Sequence, residues 1–71
     1  MDGSKPVAVY KLVGSEKQKN LMHALSDKLT AEGWKWFSDF YIEWATETIE
    51  LQIYREELIP TVKEFIVEES I

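Results

Sequence analysis

The chain has 71 residues, no cysteine and a formal net charge of −5. A length of that order makes one domain with one core, whose margin over chain entropy is roughly 3–5 kcal/mol, and the lack of cysteine excludes a disulfide framework or a cysteine-based metal site. No apolar run approaches the ~20 residues that span a bilayer, so with the polar start Met1-Asp2-Gly3-Ser4-Lys5 the expectation is a cytoplasmic protein without a membrane segment, residues 1–5 forming a flexible lead into a single domain.

The first predicted element is a strand from Val7 to Val13, preceded by Pro6, which lacks an amide proton and so suits the entry to a strand. Turning Ala8, Tyr10 and Leu12 inward leaves Lys11 in water, and this facing is the preferred one. Gly14-Ser15 breaks the strand, and Ser15 with Gln18 three residues later makes a capping-box start for a helix over about Glu16 to Glu32. Leu21, Leu25 and Leu29 form its apolar stripe, widened by Met22 and Ala24, and Gly33 supplies the left-handed residue that ends such a helix.

From Trp34 to Trp44 the side chains alternate: Trp34, Trp36, Ser38, Phe40, Ile42 and Trp44 on one parity, Lys35, Phe37, Asp39, Tyr41 and Glu43 on the other. A period of two held that long predicts one extended, half-buried strand. A second strand over Ile49 to Arg55 folds back on it around Thr46-Glu47, pairing Trp44 with Ile49, Ile42 with Leu51 and Phe40 with Ile53, so that the apolar residues share one face. The turn lacks the usual Asn-Gly. A last helix is expected over about Glu57 to Glu69, with Pro60 in its first turn and Leu58, Val62, Phe65 and Ile66 as its apolar stripe.

The order strand, helix, strand, strand, helix predicts an α+β two-layer sandwich: a three-stranded sheet in the order 1-3-2 with both helices on one face. It resembles a ferredoxin-like fold lacking its last strand, which leaves the first strand with a vacant neighbour.

Catalytic and cofactor constellations are absent from the pattern. The single histidine, His23, stands one turn from Asp27; a metal site needs three or four ligands, so a solvated polar pair is expected rather than a metal or acid–base site. None of Gly3, Gly14 and Gly33 makes a phosphate loop, and the carboxylate pairs Glu56-Glu57 and Glu68-Glu69 are adjacent on a helix and do not face each other. The expectation is a non-enzymatic protein with no cofactor and no metal.

Binding is the better prospect. Residues 1–38 sum to +2 and residues 39–71 to −7, so the acid is concentrated in the second half. In the hairpin register the face away from the helices carries Phe37, Asp39, Tyr41, Glu43, Glu50, Gln52 and Tyr54, aromatics in an acidic surround with Glu43 directly opposite Glu50. Glu64, Glu68 and Glu69 crowd the end of the last helix, where the dipole favours cations. Phosphate would be repelled there, which disfavours direct nucleic-acid binding. Two functions are therefore expected. One is a small acidic regulator or inhibitor that binds a basic protein surface through Phe37, Asp39, Tyr41, Glu43, Glu50, Gln52, Tyr54, Glu64 and Glu68, of which a nucleic-acid mimic of viral or mobile-element origin is one form. The alternative is a symmetric homodimer, joined through strand 7–13 or the open sheet face, that encloses a small ligand or serves in assembly.

Overall fold

Three strands and two helices follow in the expected order in the computed structural model, which describes residues 5–66. They are β1 (Ala8–Val13), α1 (Glu16–Ala31), β2 (Phe40–Trp44), β3 (Thr48–Ile53) and α2 (Ile59–Phe65), the last preceded by a 3-10 turn at Glu56–Leu58. The sheet has the order β1-β3-β2 and is antiparallel throughout.

Local chemistry sets both ends of α1. Ser15 is extended, and its Oγ accepts the Gln18 N–H at 3.2 Å, supplying one of the partners that a helix start lacks. At the other end Gly33 takes φ +99°, while the Gly33 N–H donates to the Thr30 carbonyl at 3.1 Å and the Trp34 N–H to the Leu29 carbonyl at 3.0 Å. This is the paired closure of a Schellman motif, which a Cβ at position 33 would strain.

The hairpin has the predicted register: Trp44 opposes Ile49, Ile42 opposes Leu51 and Phe40 opposes Ile53. Its Thr46-Glu47 turn is held without a glycine of its own. Phe37 is the only non-glycine with positive φ among the described residues, so the turn is neither of the primed types that hairpins favour. Support comes from outside: the Gly14 N–H donates to the Glu47 carbonyl at 2.9 Å, and a Cβ on Gly14 would lie 2.9 Å from the Glu47 carbonyl carbon.

Two expected elements are shorter than the sequence pattern suggests. Strand pairing begins at Phe40, not Trp34, because residues 35–40 close a turn on themselves. The Asp39 carboxylate accepts the Lys35 N–H at 2.8 Å, the Asp39 N–H donates to the Lys35 carbonyl at 2.9 Å, and Phe37 adopts φ +70°. A short polar side chain bonding to nearby backbone competes with a ladder, and here it wins. Trp34 and Trp36 still pack against the core from this turn. The last helix ends at Phe65 rather than Glu69, since Ile66 is already extended at φ −87°, ψ 125°; Glu68 and Glu69 lie outside the described residues.

One core joins the layers. Met22, Leu25 and Leu29 of α1 and Leu58 and Val62 of the second helical segment meet Leu12, Phe40, Ile42, Ile49, Leu51 and Ile53 of the sheet, all buried. Ala8 and Tyr10 pack against the same cluster, so β1 faces as predicted and Lys11 points away. The stripe on α1 is rotated slightly: Gln18 is fully buried, Leu21 is at the margin and Ala24 is exposed.

Candidate interaction surface on the hairpin

Strand alternation turns Val9 and Lys11, Tyr41 and Glu43, and Glu50 and Gln52 away from the core. The helices lie on the other side, so among the described residues nothing covers this face. Side chains meet there in rows across the strands: Val9, Gln52 and Tyr41 in one, Lys11, Glu50 and Glu43 in the next. Along β3 the polar groups are tied together, with Tyr54 Oη donating to Gln52 Oε1 at 2.6 Å and Gln52 Nε2 to Glu50 Oε2 at 3.2 Å.

One end of the face is aromatic. Phe37 is 73% exposed, and its ring centroid lies 5.1 Å from that of Tyr41. Trp36 stands edge-on to Tyr41 at 6.4 Å and packs on buried Phe40 at 4.8 Å, linking the exposed pair to the core. A bulky side chain at positive φ costs on the order of 1 kcal/mol or more. Phe37 carries that cost at a position where its ring finds little burial.

The other end is acidic, around Glu43, Glu47 and Glu50 beside the turn. Glu50 sits between the like charge of Glu43 and the opposite charge of Lys11. Among the described residues neither glutamate is within ion-pair distance of Lys11, whose position opposite Glu50 depends on the β1–β3 register, which the hairpin pattern alone does not reveal.

The structure does not bring all of the predicted contact residues together. Asp39 was expected on the open face, but it is almost wholly buried beneath the 35–40 turn, where Arg55 Nε donates to its Oδ1 at 2.8 Å. The Arg55 hydrogen bond, with the Lys35 amide second, holds the Asp39 carboxyl below the usual carboxylate range, and the same pairing raises Arg55. Asp39 is therefore a brace for the loop that presents Phe37. Glu64 is exposed on α2, in the helix layer rather than on the hairpin face, and Glu68 lies outside the described residues. What remains is a continuous set: Phe37, Tyr41, Glu43, Glu50, Gln52 and Tyr54.

His23 does not pair with Asp27 but stacks on the Trp44 indole, centroids 4.6 Å apart and planes 17° from parallel. Trp44 is thus on the helix side as its register requires, yet at the rim, 40% exposed. Among the described residues no three histidine, aspartate or glutamate side chains gather as a metal site, and no helix is long and apolar enough to cross a membrane. Comparison with protein-family models, curated proteins and solved structures gives no significant match.

Proposed function

We propose that this chain is a non-enzymatic interaction module that sets the outer face of its hairpin against a basic protein surface, acting as a small regulator or inhibitor. The observation that carries the reading is the strained, exposed Phe37 in ring contact with Tyr41, one row of side chains from Glu43 and Glu50. Closure of the 35–40 turn sets the positive φ, but it does not require an exposed aromatic at position 37, and strain of this kind gathers at functional positions. Residues two apart on a strand sit ~7 Å from each other on one face, which matches the length of a lysine or arginine side chain: the aliphatic stem lies over the Tyr41 ring and the cationic head reaches the Glu43–Glu50 pair. A cation there also relieves the repulsion across that pair.

The test is affinity capture of the partner from host extract by wild-type protein and by two variants, Phe37→Ala and Glu43→Lys. One basic protein should be retained by the wild type and lost from both variants, with affinity falling as salt rises. Retention by both variants, or an affinity indifferent to salt, would refute the reading. If the captured partner is a nucleic-acid-binding protein, displacement by duplex DNA would identify the module as a mimic of the nucleic acid.

A further inference from the structure

Among the described residues the two edges of the sheet are covered unequally. The Gly14-to-Glu47 and Ala45-to-Thr48 hydrogen bonds fix the parity of the ladders: odd-numbered residues of β3 bond to β1 and even-numbered ones to β2. Phe40, Ile42 and Trp44 on β2 therefore direct their backbone groups outward, and the 35–37 segment covers the Phe40 end of that edge, with the Phe37 N–H donating to the Phe40 carbonyl at 2.7 Å and Trp36 bridging to Phe40. On β1 it is Val9, Lys11 and Val13 that direct their N–H and C=O groups outward, and no backbone partner meets them among the described residues. Val7 and Val9 flank this edge at 49% and 44% exposure. A row of unpaired strand amides beside exposed valines is a template for another strand.

We propose that the occupant is β1 of a second copy of this chain, paired antiparallel about a two-fold axis at Tyr10, which joins the two sheets into one. Three observations select that occupant and register. A two-fold axis at Tyr10 pairs Val9 with Lys11 of the copy and overlaps Ala8–Leu12 of the two strands, with Val7 set beside the copy's Val13 although its own N–H is already donated to the Ile53 carbonyl at 2.7 Å. Val9 and Lys11 are both outward-bonding residues, as a hydrogen-bonded pair requires, whereas a register centred on Lys11 would set two lysines face to face. Finally, the charge division favours this edge: residues 1–38 sum to +2, so two molecules with a net charge of −5 each meet through their less acidic parts and hold their acidic hairpins apart. The inference is independent of the hairpin reading, since β1 edge and Phe37–Tyr41 end lie on opposite sides of β3.

Sedimentation of the full chain at about 0.2 mM, well above a micromolar Kd, tests it. A mass twice 8.3 kDa is expected. Val9→Lys places a cation opposite the copy's lysine twice per dimer and should weaken association roughly tenfold, while Val9→Glu should tighten it by a similar factor. Neither change touches the core or the intramolecular ladder, so both variants remain folded. With no native cysteine to interfere, Tyr10→Cys, on the axis, should form an intermolecular disulfide faster than Lys11→Cys. Added salt should strengthen this association between like-charged molecules, the opposite of its effect on a basic partner, and Tyr41→Ala should leave it unchanged. A wild-type mass of 8.3 kDa, or equal association of the two Val9 variants, overturns the proposal; so does a monomer whose Val9, Lys11 and Val13 amides resist hydrogen exchange, because another segment of the chain would then occupy the edge.

Discussion

Phe37 and Asp39 do opposite work within one short loop. Asp39 ties residues 35–40 together through the Lys35 amide and Arg55, and Phe37 takes the positive φ that this closure imposes. Replacing Phe37 with Gly removes the steric penalty, so denaturant unfolding should show a protein equally stable or more stable by up to about 1 kcal/mol, even though the ring contact with Tyr41 is gone. Partner capture should fail in the same variant, separating a cost to folding from a use in binding. For Asp39 the sign of the pH effect follows from its lowered titration: the folded chain holds the carboxylate proton less readily than the unfolded chain. Its contribution is complete above the unfolded value of about 3.9 and is lost as the pH falls through the lower folded value. Unfolding midpoints of wild type and Asp39→Asn should therefore differ at neutral pH by about 1–2 kcal/mol, the scale of a lost charge-assisted hydrogen bond, and converge in acid.

Among the elements, those that rest on side-chain period and capping were legible in the sequence. Ser15 and Gly33 bound the first helix, and the inward sets of the two hairpin strands leave only one register that buries them all. The 34–39 segment was not legible, because its alternation of aromatics satisfies a strand and a turn equally well until Asp39 is seen to reach back to Lys35. Nor was the role of Gly14. It reads as a strand breaker, yet its amide bonds to Glu47 and its missing Cβ lets β1 run close against the hairpin turn. Gly14→Ala should lower stability by about 1–3 kcal/mol through this overpacking, with the loss greatest in hydrogen-exchange protection of residues near Thr48. Across the hairpin, Glu43→Gln should raise stability by a few tenths of a kcal/mol by ending the repulsion with Glu50.

For the molecule as a whole, the candidate surface was only partly legible for a reason of the same kind. Period two placed Tyr41, Glu43, Glu50, Gln52 and Tyr54 on one face, but the cross-strand neighbour Lys11 and the burial of Asp39 are products of tertiary packing. The acidic half of the chain is also divided by the fold, Glu43, Glu47 and Glu50 gathering near the turn and Glu64 remaining among the helices. The order β1-β3-β2 has one further consequence, for synthesis. The middle strand is the last of the three to be made, so a nascent chain displays the apolar stripe of α1 and the inward side chains of β1 and β2 with nothing to lie between them. At ~5–20 residues per second the central strand follows both of its neighbours, and since each ladder has β3 as one of its two sides, neither can form before β3 is available and the two close together.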